Sequence, residues 1–256
     1  MVICGIVGLF DARKQFQNVR KVTAIYEQSS SSLVDSELVT ILFDALKVVN
    51  SKIEYHSAFP SLSSTSNPDI TIEQELNKLR IKNNRIFILT KFSLELAILI
   101  FKKANKMGMM EKGYVWIVSD EIASLLDSVD SSVISNMQGV ISFRTNFVKT
   151  GKYFKRFKSS FRRKYKSIYP EEEENSNPSI FALRTYDATW AIARAMIKSE
   201  GNPTSKEVSR KILSSNFQGQ SDKIRFKDNE MHQLPLFQII NILVTEIRFL
   251  LEPEQN

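Results

Sequence analysis

Two short runs constrain the fold more than anything else in the sequence: Arg85–Thr90 (Arg-Ile-Phe-Ile-Leu-Thr) and Tyr114–Val118 (Tyr-Val-Trp-Ile-Val) are apolar at consecutive rather than alternate positions. A strand with one wet face alternates apolar and polar residues. A strand apolar on both faces must be covered on both, which is the signature of a parallel sheet between helical layers. Their neighbours agree. Residues 21–26 form a β-branched run, and Leu38, Leu42, Ala45, Leu46 and Val49 then recur at helical spacing. The pattern continues with a strand at 52–58, helices at about 71–82, 93–107 and 120–127, and a strand at 138–144. Strands alternating with crossover helices predict a parallel α/β sheet. The rest reads as helices at about 152–167, 185–199 and 204–215, with strand-like runs at 222–227 and 236–245. That stretch has too few strands for a sheet of its own.

A chain of 256 residues can bury roughly 70–75% of its unfolded surface, enough for one or two domains. Its eight glycines are about half the usual share, which argues against glycine-cradled phosphate sites. Cys4 is the single cysteine, so neither an internal disulfide nor a multi-thiolate metal site can form. The apolar start Val2–Phe10 is too short to span a bilayer and lacks the basic region and cleavage site of a signal peptide. No window approaches the length of a membrane span, and both Asn-Pro-Ser/Thr triplets, at Asn177 and Asn202, carry the proline that blocks glycosylation.

The common signatures of chemistry are absent. There is no G-x-G-x-x-G, no phosphate-binding loop, no H-E-x-x-H and no G-x-S-x-G elbow. His56 and His232 stand alone, and carboxylates such as Asp127 and Asp130 sit where helix caps are expected. No catalytic residue, metal ligand or cofactor is therefore expected. One stretch asks for more: Lys152, Lys155, Arg156, Lys158, Arg162, Arg163, Lys164 and Lys166 occur with no acid among them, and Phe154, Phe157, Phe161 and Tyr165 fall on one helical stripe. A helix binding nucleic acid or anionic lipid has this composition. So does an ordinary amphipathic helix with a solvated basic face, offset by Glu171–Glu174, and that reading is preferred.

Ligands of parallel α/β sheets bind at the carboxyl ends of the strands. Here those ends are Tyr26–Ser31, Thr90 and Lys91, and Ser119 and Asp120. Asp120 is the leading candidate, because a carboxylate there can pair with a ligand ammonium through a charge-assisted hydrogen bond. The alternative is that Asp120 caps a helix over Glu121–Leu126.

An ordered set of longer segments points to a family. R-I-F-I-L-T at 85–90, A-N-K-M-G-M-M-E-K-G-Y-V-W-I-V-S-D at 104–120, V-T-A-I-Y-E at 22–27, M-Q-G-V-I-S-F-R at 137–144, F-A-L-R-T-Y-D-A-T-W-A-I-A at 181–193 and F-Q-I-I-N-I at 237–242 are spread along nearly the whole chain, from residue 22 to residue 242. This set resembles the amino-terminal domain of plant glutamate-receptor-like channels. The resemblance implies a bilobed α/β module of the type I periplasmic-binding-protein kind, closing on a small ligand between its lobes. On that reading residues 1–136 are a nearly complete second lobe, 137–200 are partial first-lobe elements, and 201–256 return to the second lobe and carry the crossing segment. The chain is then truncated relative to the family, without the channel. It also implies a non-enzymatic extracellular or membrane-associated receptor region that binds an amino acid or similar molecule through Asp120, Ser119, Tyr26, Ser31 and Thr90. Assembly with full-length receptor subunits follows, with no nucleic-acid partner and no membrane span. Two alternatives stay open: a relic that no longer binds and acts only in assembly, and a soluble basic protein acting through 152–166. The sequence departs from the family pattern at Gln28–Ser32, at residues 11–19 and at Asp222, which stands where the family commonly has a glycine.

Overall fold

The computed structural model describes residues 21–28, 32–126, 129–147, 151–171, 177–199, 201–231, 237–243 and 247–251. In chain order the described elements begin β1 (Lys21–Glu27), α1 (Ser32–Val48), β2 (Lys52–Phe59), α2 (Pro68–Arg80), β3 (Ile86–Thr90), α3 (Leu94–Lys106), β4 (Val115–Val118), α4 (Asp120–Ala123), α5 (Ser131–Ile134) and β5 (Ile141–Thr145). They continue α6 (Lys152–Ile168), α7 (Ile180–Ile197), α8 (Ser205–Leu213), β6 (Asn216–Gln218), β7 (Lys223–Lys227), β8 (Glu230–Met231), β9 (Phe237–Ile242) and β10 (Ile247–Leu251).

The chain divides into two compact units, one of residues 1–144 with 237–256 and one of 145–236. The first is built on a seven-stranded sheet of order β10-β9-β5-β4-β3-β1-β2. Pairing is parallel from β2 through β1, β3 and β4 to β5, and antiparallel between β9 and β10. This is the α/β, mostly parallel architecture expected, and the reason is visible in the two diagnostic strands. Phe87, Leu89, Trp116 and Val118 enter one core with Ile72, Leu76 and Leu79 of α2 and Leu96, Ile100 and Phe101 of α3. Ile88 and Ile117 enter the opposite core, where Leu42 and Leu46 of α1 lie, with Ile86 and Val115 packed against it. Consecutive apolar positions are needed because successive side chains serve different layers.

Local signals set the ends of elements. The Asn67 carboxamide oxygen accepts from the Ile70 N–H ahead of Pro68, which opens α2. Beside β3, the Trp116 indole N–H donates to the Met109 carbonyl at 2.7 Å, so this 2%-exposed ring meets Phe87 and Phe101 without a stranded donor.

The second unit holds α6, α7 and α8 and a three-stranded sheet of order β6-β7-β8. The Ser179 hydroxyl accepts from the Ala182 N–H at the start of α7, and Thr204 with Glu207 forms a reciprocal capping box on α8. A small core of Phe147, Phe154, Ile180 and Leu183 fastens α6 to α7. Phe154 and Phe157 of the aromatic stripe are thus core-directed, while nine positions of α6 from Lys152 to Lys164, including Lys155, Arg156, Arg162 and Arg163, face solvent.

Several elements differ from the sequence expectation. The helix expected to reach residue 127 ends at Ala123, α7 starts at Ile180 rather than 185, and α5, β6, β8 and β10 were not anticipated. β5 joins the first unit by hydrogen-bonding to β4, and α8 packs on α7 within the second. His232, Asp127 and Cys4 lie outside the described residues.

Candidate functional site

The carboxyl edge of the parallel strands collects four of the five residues singled out from sequence. Tyr26 is the penultimate residue of β1, Thr90 closes β3 directly opposite it in register, and Ser119 and Asp120 follow β4. All four are buried, at 8%, 2%, 1% and 7% exposure. The fifth, Ser31, lies outside the described residues. Parallel pairing is what brings these ends together: neighbouring strands run the same way, so residues tens of positions apart in sequence meet at one edge.

Neighbouring groups hold the edge rigid. The Glu27 carboxylate accepts the Ser93 N–H at 2.7 Å, at the start of α3, and the Glu27 N–H donates to the Lys91 carbonyl at 3.3 Å. Lys91 itself sits at φ 56°, in the left-handed region, which bends the chain sharply away from β3. The Gln28 N–H donates to the Phe59 carbonyl at 2.7 Å, and the Phe59 ring meets Phe92 edge-on. Tyr26 stacks against His56 with 6.3 Å between centroids. Sequence reasoning did not single out Glu27, the last residue of β1, because its partner at the start of α3 lies 66 residues away.

Ser119 and Asp120 share the end of β4. Ser119 is the N-cap residue of α4, and its carbonyl accepts from the Ile122 and Ala123 N–H groups. Its hydroxyl makes no cap bond and has no partner among the described residues although it is buried. An orphaned buried hydroxyl costs roughly 1–3 kcal/mol. Asp120 is the first residue inside α4, and its Oδ1 accepts the Ser124 hydroxyl at 2.8 Å. The N-cap position therefore belongs to Ser119, and the edge presents a buried carboxylate next to an unused hydroxyl. Such a pair can accept from an ammonium group and bond a second polar atom.

Other candidates resolve as structure. His56 is an exposed residue of β2. Asp130 caps α5 through the Ser132 N–H at 2.7 Å, and its hydrogen bonds to Ser132 hold its carboxyl below the usual carboxylate range. Among the described residues no cluster of three or more metal-binding side chains occurs, and no helix is long and apolar enough to cross a membrane. A buried carboxylate in the second unit was not singled out from sequence. Asp187 of α7, 2% exposed, accepts the Gln220 N–H, the Ser221 N–H and the Ser221 hydroxyl at 2.7, 2.7 and 2.6 Å. Gly219 lies so close that a Cβ there would sit 2.5 Å from the Asp187 carboxylate, so this turn serves the fold.

Comparison with known proteins places the chain among receptors. Residues 9–245 match the family described as receptor family ligand binding region. Glutamate receptor 2.7 of Arabidopsis thaliana is 33% identical over 185 residues, covering 70% of this chain and 18% of that protein. Glutamate receptor 2.4 of the same plant is 29% identical over 245 residues, covering 88% and 25%. Glutamate receptor 2.9 is 27% identical over 264 residues, covering 92% and 26%. The chain spans about a fifth to a quarter of the length of the curated relatives it matches.

Proposed function

The chain belongs to the receptor family ligand binding region, which is a family of receptor domains and not of enzymes, and from that premise we propose that it binds a small molecule carrying an ammonium group, an amino acid or close analogue, at the carboxyl edge of its seven-stranded sheet. The observation that carries this reading is the Ser119–Asp120 pair. The buried Ser119 hydroxyl, which has no partner among the described residues, lies next in sequence to the buried Asp120 carboxylate, and an orphaned buried hydroxyl is costly. A ligand ammonium meeting Asp120 and a second ligand atom meeting Ser119 offset that cost. Thr90 ends β3, the strand next to β4, and Tyr26 lies opposite it on β1, a hydroxyl and an aromatic ring suited to the rest of a small polar ligand. We place this binding step in an extracellular region of a membrane receptor like the plant glutamate receptors, where it would bias a ligand-gated cation channel assembled from related subunits. Calorimetric titration with a panel of amino acids, and with the same compounds acylated on nitrogen, tests the reading. Saturable heat with the free amines and none with the acylated forms is expected; no heat from any compound with demonstrably folded protein refutes it.

A second reading rests on a different observation. The α7 helix exposes Tyr186, Trp190, Met196 and Ile197, at 43%, 47%, 55% and 79%, and uncovered apolar surface of this kind marks assembly interfaces. Here the chain acts through association with a related receptor subunit and not through a ligand. Co-purification with such a subunit, lost when Trp190 and Ile197 become Ser, is the expected result, and failure with every related subunit removes the reading.

A further inference from the structure

We propose that the cleft between the C-terminal turn of α7 and helix α8 is a second binding site, specific for a small phosphate monoester. A cavity of about 280 Å³ opens here, walled by Lys198 and Ser199 on one side and Arg210 and Lys211 on the other. A small niche of about 20 Å³, lined in part by Arg194, Ser215 and Asn216, adjoins it and shares Lys198 and Lys211. The four cations are 17 positions apart at the extremes, from Arg194 to Lys211, and converge because α7 and α8 pack against each other.

The charge is one-sided. Among the described residues the single carboxylate lining either space is Glu207, and it is already engaged: its Oε2 accepts the Thr204 N–H and hydroxyl, each at 2.9 Å, in the α8 capping box, and Arg210 and Lys211 act on it electrostatically. Two of the cations are held in place. Lys211 donates its Nζ–H to the Lys198 carbonyl at 3.2 Å, and the Arg194 guanidinium lies over the Phe217 ring at 5.0 Å. Cations near a helix C-terminus are common, since they meet its free carbonyls. Of the four, Lys211 is the one seen to bond such a carbonyl among the described residues. The Lys198 ammonium makes no hydrogen bond or ion pair among the described residues, and the Arg210 guanidinium acts on Glu207 electrostatically without a hydrogen bond to it, so N–H donors of both can turn to an anion. A concave site lined by one sign of charge focuses its field on a ligand. An arginine fork, two ammonium groups and the Ser199 hydroxyl together match the several oxygens of a dianionic phosphate better than a single carboxylate. Size narrows the class, since ordinary ligand pockets run from roughly 300 to 1,000 Å³. At about 280 Å³, just below that range, the cleft suits a phosphate with a few carbons attached.

The test titrates the full chain with inorganic phosphate and with glycerol 3-phosphate, against sodium chloride of matched ionic strength, following thermal melting. The expected result is saturable stabilisation by both phosphates beyond chloride, with the ester at least threefold tighter. Replacing the solvent-exposed Lys198→Gln and Arg210→Gln together should weaken both at least tenfold, while melting without phosphate stays unchanged. A chloride response equal to that of phosphate, or undiminished binding by the double variant, overturns the site. An ester no tighter than inorganic phosphate overturns the assignment to a monoester.

Discussion

Replacing Asp187 with alanine should destabilise the second unit by about 3–5 kcal/mol. The figure comes from the three hydrogen bonds its carboxylate accepts from Gln220 and Ser221. Two of those donors are backbone N–H groups that cannot turn elsewhere, and Ser221 is only 8% exposed. Each buried donor left without a partner costs about 1–3 kcal/mol, and truncating a fully buried side chain adds a cavity contribution. Ser221→Ala, which removes one donor and strands nothing, should cost only about 1 kcal/mol. Gly219→Ala should fall nearer Asp187→Ala, because its Cβ would need to occupy space 2.5 Å from the carboxylate. Urea denaturation followed by tryptophan fluorescence gives the values. The chain has two tryptophans, Trp116 in the first unit and Trp190 in the second, so a Trp116→Phe background reports on the second unit alone. An Asp187→Ala variant within about 1 kcal/mol of its parent, or a Ser221→Ala variant as damaging as Asp187→Ala, would refute this account of the turn.

Three further outcomes are expected. Trp116→Phe itself should cost about 1–2 kcal/mol in the first unit, since it strands the Met109 carbonyl acceptor and thins the packing with Phe87 and Phe101; denaturation read by circular dichroism measures it. Glu27→Ala should cost about 1 kcal/mol by leaving the Ser93 N–H uncapped, with faster amide exchange at the start of α3 as its local signature. The Glu207 carboxyl is held below its usual range, chiefly by hydrogen bonds from the Thr204 backbone and side chain. A carboxyl lowered in the folded state stabilises it above the unfolded-state value and loses that contribution as pH falls through the folded one. Glu207→Gln should therefore narrow the gap to the parent on acidification, visible as converging melting temperatures.

What was legible in the sequence and what was not follows from the range of the forces involved. Arg85–Thr90 and Tyr114–Val118 announced a doubly covered parallel sheet because burial on both faces is written into consecutive residues, and the strand ends then marked where Tyr26, Thr90, Ser119 and Asp120 would meet. The aromatic stripe of α6 likewise foretold its core-facing side. Tertiary pairing was hidden. The Asp187 clamp joins residues 34 apart, and nothing local to α7 distinguishes that carboxylate from a solvated one; the close-approach glycine at Gly219 was the available signal. The strand β10 was missed because an antiparallel edge is chosen by its partner β9 and not by its own periodicity. The basic cleft was invisible for the same reason, since Arg194, Lys198, Arg210 and Lys211 read in sequence as ordinary last-turn cations on two separate helices.

The central claim, that an ammonium-bearing ligand is held at Asp120, is tested most directly by melting the parent chain and Asp120→Asn side by side, with and without each amino acid. A ligand at a hundred times its dissociation constant stabilises the native state by about 2.7 kcal/mol, a rise of roughly 5–10 °C for a protein of this size. The account predicts that rise for at least one amino acid in the parent and its loss in Asp120→Asn, with both proteins melting cooperatively when unliganded. An equal rise in both proteins, or none in the folded parent with any amino acid, would contradict it.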